Sequence, residues 1–320
     1  MKNTIRKILI CVGDSGHVAA PTLRKVAAIA RGAGAAVELF HAVREREPVT
    51  TAVGNAPQRA LKAQQAAVPA RYLALLEKAA KSHWLRGVKV SCCVELDYPP
   101  HEAVVRRAMH TGADLVVVPM HRHARGTSLV LRYTDWELVR HCPVPLLLLK
   151  STVAYSKPAI VVSVDPFHAH AKPANLDERL IESATALSQA LRGNVHVFHS
   201  YMPLTTFVPA PMGINLPTGL PPELEDAHAA QISQVLDRLA QRHGIPPNRT
   251  HLHMGIVPDE LAAVVRKVHA GAVVMGALSR AGLKRLFIGN TAERTLDRLT
   301  CDVLVVKPRN FRSGISSART

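Results

Sequence analysis

Lys7-Ile8-Leu9-Ile10-Cys11-Val12 returns further along the chain as Ala159-Ile160-Val161-Val162-Ser163-Val164. Each is a short, continuous apolar run, the pattern of a parallel strand buried on both faces. A second strand follows each of them: Val37-Glu38-Leu39-Phe40-His41 and Val195-His196-Val197-Phe198-His199. Further on, Pro100-His101-Glu102 parallels Pro258-Asp259-Glu260, with the two glutamates 158 positions apart. Leu146-Leu147-Leu148-Leu149-Lys150 parallels Val303-Leu304-Val305-Val306-Lys307, with the two lysines 157 positions apart. A near-constant offset along half the chain marks one unit written twice.

Between the strands the pattern predicts helices over 21–31, 57–85, 100–110 and 134–141, and again over 176–191, 224–243, 259–269 and 291–299. Proline at or near several of these starts suits a position whose N–H has no helical partner. Strands alternating with helices give a parallel sheet covered on both faces. The expected fold is therefore α/β, two tandem Rossmann-like domains, each an open five-stranded parallel sheet flanked by helices. The first domain is expected over 1–152 and the second over 158–309, joined by the polar, proline-ended linker Ser151 to Pro158. Residues 310–320, rich in Ser and Arg, are expected to be a disordered tail. The last strands of the two halves should pack on each other, because their apolar edges need cover.

Composition narrows the function. Over 320 residues, 48% apolar and 20% charged is the balance of a globular protein. Ile8 to Val12 is too short for a signal sequence, and no run approaches the ~18 apolar residues of a membrane span. A cytoplasmic protein with no membrane partner is expected. Cys11, Cys92, Cys93, Cys142 and Cys301 lack C-x-x-C spacing and read as reduced thiols. The net charge of +16 would draw phosphate, but aromatics are only 4% and the basic residues are dispersed, so a nucleic-acid partner is not expected. The pairs His121/His123, His168/His170 and His251/His253 fall short of the ligands zinc requires and read as surface or loop histidines. No nucleophile elbow or Walker lysine is present, which argues against catalysis.

The segment Met275-Gly276-Ala277-Leu278-Ser279-Arg280 through Gly289-Asn290-Thr291-Ala292-Glu293, followed by Cys301-Asp302-Val303-Leu304-Val305-Val306-Lys307-Pro308, closely resembles the end of universal stress protein domains. The tandem layout extends that resemblance over nearly the whole chain. Nucleotide-binding members of the family carry the pattern G-x2-[GS]-x9-G-[ST]. Its first glycine follows the fourth strand, at the carboxyl edge where open α/β sheets bind ligands. Its second opens a helix whose free N–H groups and dipole attract phosphate. The second half supplies Gly276, Ser279 with Arg280 beside it, and Gly289, but has Asn290 where Ser or Thr is expected, with Thr291 one place on. Asn290 and Glu293 together form a capping pair.

The resemblance further implies that Asp165 meets the adenine or ribose and that the backbone of Ser200 bonds the base. Asp165 also reads as a plain strand-end residue before Pro166, and the glycines as turn geometry. The implied ligand is ATP or AMP, in the second domain only, held by a stress-response protein without catalytic activity. At the matching positions of the first half stand Pro119, Arg122, Arg132 and Tyr133, with Gly13 in place of the aspartate. Its pocket is expected to be filled or adapted to another ligand, with Arg122 and Arg132 as anion contacts, while Thr134 and Glu137 cap the helix. The alternative function is an interaction scaffold for an unknown protein partner, or a binder of a partly apolar small ligand, served by the loops Arg44 to Ala56 and Met202 to Pro222. The two halves imitate the homodimer of single-domain relatives, and further homodimerisation is open.

Overall fold

In the computed structural model of the chain, residues 4–43, 58–120, 133–167, 175–204, 221–277 and 290–316 are described. The first half runs β1 (Lys7–Cys11), α1 (Ala20–Ala33), β2 (Ala36–Val43), α2 (Gln58–Ala80), β3 (Val90–Leu96), α3 (Pro100–Thr111), β4 (Leu115–Pro119), α4 (Tyr133–His141) and β5 (Leu146–Leu149). The second repeats it as β6 (Ala159–Ser163), α5 (Leu176–Leu191), β7 (Asn194–Tyr201), α6 (Pro222–Arg242), β8 (Thr250–Met254), α7 (Val257–Lys267), β9 (Ala270–Gly276), α8 (Asn290–Arg298) and β10 (Asp302–Val306). The predicted helices are all present, shifted at their ends by one to a few residues. Gly34 and Gly112 stop α1 and α3 in the left-handed conformation that costs glycine least.

The two predicted sheets are one. All ten strands lie in the order β3-β2-β1-β4-β5-β10-β9-β6-β7-β8, which reads the same from either end. Every pair within a half is parallel, and the halves meet where β10 runs antiparallel to β5, Leu304 opposite Leu147. That junction removes both apolar edges from water at once. Side chains of the strands feed two cores. Val26, Leu76, Leu180 and Leu236 from α1, α2, α5 and α6 cover one face, and Val104, Leu138, Leu261 and Leu296 from α3, α4, α7 and α8 cover the other.

A buried ionic cluster seals the junction. Asp302, at the start of β10, is 0% exposed and binds Lys25 Nζ of α1 at 2.5 Å. Its carboxylate also accepts from the Tyr155 hydroxyl at 2.5 Å and from the backbone N–H groups of Lys150 and Ser151 at 2.9 Å. Burial, and then the Asp302 charge, push the Tyr155 phenol well above its ordinary pKa. Lys150 crosses to the second half and donates to Leu296 O and, at 2.5 Å, to Leu299 O at the carboxyl end of α8. Beyond β10, where the composition suggests no order, Phe311 lies over the Lys307 ammonium at 4.8 Å and Ile315 packs against the core.

Candidate functional site

In each half the chain leaves the first strand on one side and returns for the fourth on the other, so β1/β4 and β6/β9 are switch points where the carboxyl edge opens a crevice. In the second half, Asp165 lies two residues past β6, Ser200 near the end of β7, Gly276 at the end of β9, and α8 begins at Asn290. These four sequence-predicted positions therefore share one edge. The Asp165 N–H donates to Asp177 Oδ1 at 3.2 Å in the first turn of α5. The Ser200 hydroxyl oxygen is buried and has no hydrogen-bond partner among the described residues. The Thr291 carbonyl accepts from the Thr295 hydroxyl at 2.6 Å inside α8. Ser279, Arg280 and Gly289, and the side chain of Asn290, lie outside the described residues.

Gly276 has a packing reason beside any ligand role. A Cβ there would lie 2.9 Å from Leu176 Cδ2, so the helix start of α5 presses on bare backbone. Next to it, Lys307 donates to Ala277 O at 3.2 Å, and burial lowers its ammonium pKa to about 8.

Two residues given no role by the sequence reading sit at the same place in both crevices. His41 Nδ1 lies 3.0 Å from Val12 O, and His199 Nδ1 lies 2.9 Å from Val164 O, each ring buried and tying the end of the second strand to the residue after the first. The signal was present: both histidines follow a phenylalanine at equivalent points of the repeat.

The first half departs from the second in side chains rather than in path. The Tyr72 ring of α2 lies 4.2 Å from the His41 ring, its hydroxyl donates to Asp14 O at 3.2 Å, and a Cβ on Gly16 would fall 2.7 Å from Tyr72 Cδ1. Tyr72 thus occupies ground beside Gly13 and Ala42, the counterparts of Asp165 and Ser200. Thr134 and Glu137, expected to cap the helix, lie within it. Helix α4 already begins at Tyr133, and Glu137 binds Arg140 at 2.6 Å and His141 at 3.2 Å, because cations in the last turn compete for it. Arg122 and Arg132 lie outside the described residues.

The remaining candidate groups are committed elsewhere. All five cysteines are free, and burial pushes the thiols of Cys11, Cys142 and Cys301 up to about 12, far from nucleophilic use at neutral pH. His251 Nε2 meets His196 Nδ1 at 3.0 Å and His253 Nδ1 meets Glu260 at 3.0 Å, so the two members of that H-x-H pair have different partners. Among the described residues, no group of three or more His, Cys, Asp and Glu could hold a metal ion. No helix of the described residues is long and apolar enough to cross a membrane.

Comparison with known proteins agrees with this architecture. The family model described as "Universal stress protein family" matches residues 4–150 and again 160–307. Universal stress protein E of Escherichia coli strain K12 is 28% identical over 313 residues, covering 96% of both chains. Universal stress protein E of Photorhabdus laumondii is 26% identical, covering 97% of this chain and 98% of that one. In fold, the chain is similar to a functionally unknown protein from Pseudomonas aeruginosa PAO1, with a TM-score of 0.68 at 21% identity over 97% of this chain and 95% of the other. It is also similar to a universal stress protein from Archaeoglobus fulgidus DSM 4304, with a TM-score of 0.62 at 14% identity over 97% and 99%. With a repeated fold, a matching pair of switch-point crevices and a family match in each half, this chain belongs to the universal stress protein family, as a tandem member.

Proposed function

We propose that the protein is a cytoplasmic, non-catalytic stress-response protein that binds an adenine nucleotide, ATP or AMP, in its second domain, residues 158–309, with the first domain, 1–152, as its architectural partner. The observation that carries this reading is the convergence of Asp165, Ser200, Gly276 and the start of α8 on one switch-point edge. Asp165 and the Ser200 backbone suit the sugar and base. Ser279, Arg280, Gly289, Asn290 and Thr291 suit the phosphates, with the positive end of the α8 dipole behind them.

The test is calorimetric titration of the nucleotide-free, full-length chain with ATP and with AMP, beside a Gly289→Arg variant that copies Arg132 of the first half. Micromolar binding that is lost in the variant is the expected result. No binding by the wild-type chain would overturn the reading and leave the interaction scaffold for a protein partner in its place.

A further inference from the structure

The described residues leave the switch-point crevice of the first half unfilled. At the carboxyl edge of β1, β4 and β5, beneath the start of α1, lies a cavity of about 300 Å³. Val12, Pro119 and Leu149 line it from the strand ends, Val18 and Ala19 from the approach to α1, and Pro21 from its first turn. Ala19, Pro21 and Thr22 share this wall with Pro119, whereas in the second half Leu176 lies against Gly276.

Among the described residues its wall is poor in charge. Lys150 lines it, but the ammonium is buried and turned onto the Leu296 and Leu299 carbonyls of α8. Lys25, one turn along α1, is held by Asp302. Besides His17 and Lys150, the described lining residues with polar side chains are Ser15, Thr22, Ser151 and Thr152. A phosphate would find no dedicated cation among these residues, and a buried anion without a partner is strongly disfavoured. A purine would also need the ground that Tyr72 holds against His41 and Gly16.

We propose that this cavity is a second ligand site, independent of the nucleotide reading, for a neutral, compact and mostly apolar molecule on the order of ten heavy atoms, a size suited to the small end of ligand cavities. The apolar strand ends supply the affinity, and the Thr22 and Thr152 hydroxyls orient a single polar group. This half then keeps the family's crevice while changing the chemistry it accepts.

The experiment is a ligand-observed NMR titration of the full-length chain with indole, a neutral ring of this size, beside indole carboxylate, the same ring carrying a negative charge. Saturable indole binding is expected, with the carboxylate about tenfold weaker or worse. Ala19→Trp, at the exposed rim, and Thr22→Leu, from within, each plug the cavity and should weaken indole about tenfold while the thermal midpoint stays close to that of the wild-type chain. Wild-type protein that ignores indole, a preference for the carboxylate, or plugged variants that fold and bind indole as before would each overturn the assignment.

Discussion

Asp302→Ala tests the idea that one buried carboxylate makes the two halves a single unit. Asp302 and Lys25 are 0% and 1% exposed, so deleting the carboxylate takes the ion-pair partner from a core ammonium that keeps the Ser151 carbonyl at 2.6 Å and the Tyr155 ring. Breaking such a pair from one side costs about 3–5 kcal/mol. The N–H groups of Lys150 and Ser151 and the Tyr155 hydroxyl lose their acceptor as well, and each buried donor left unmet costs about 1–3 kcal/mol. Because the site relaxes and some donors find water, these costs do not add, and a loss of about 4–6 kcal/mol is expected, a large share of the 5–15 kcal/mol typical of a folded protein. Urea is the denaturant of choice, being uncharged and leaving the ion pair unscreened. With a slope of about 3 kcal/mol/M, the midpoint should fall by roughly 1–2 M. The double variant Lys25→Met/Asp302→Leu removes both charges and should recover about half of the loss, since an apolar pair carries no unmatched charge. A cost below about 1 kcal/mol for Asp302→Ala, or a double variant no better than the single, would refute this account of the junction.

Two further expectations concern packing and pH. Gly32→Ala should destabilise the protein by about 1–3 kcal/mol, although the same change in an open helix stabilises by about 1 kcal/mol, because the new Cβ would clash with the Ala190 carbonyl oxygen of α5; a thermal midpoint above that of the wild-type chain would show that the two helices have room to spare. Burial, and then the neighbouring His196, His253 and Lys267 charges, lower His251 to about 4 from an ordinary 6.5. Its folded pKa lies below its unfolded one, so its contribution is complete above about pH 6.5 and is lost as pH falls toward 4. His251→Leu should therefore flatten the acid side of the stability curve by about 1 kcal/mol once solvent screening of this half-buried ring is allowed for. Chemical denaturation of both proteins across that range decides it, and parallel curves would place the acid sensitivity elsewhere.

The candidate positions were legible because the repeat carries its own alignment and the family resemblance pointed to them. Asp165, Ser200 and Gly276 could be placed at strand ends from apolar runs alone, and the switch point then puts them on one edge. Tyr72 could not be placed this way. Nothing local in α2 says that its ring will reach across to His41 and Gly16, and that contact depends on how the helix lies on the sheet. Glu137 shows the same limit from the other side: its spacing from Thr134 suggested a cap, while the register of α4 gave it to Arg140 and His141.

Element order, the duplication and the near-parallel sheet follow from apolar periodicity and short-range turn chemistry along the chain. The fusion of the two sheets through β5 and β10, the gathering of Lys25, Tyr155 and the linker by Asp302, and the mostly apolar wall that the described residues give the first crevice depend on tertiary packing. Those features join residues far apart in the chain, where free energy depends on which side chains exclude water together and which charges end up paired, and no local pattern encodes that.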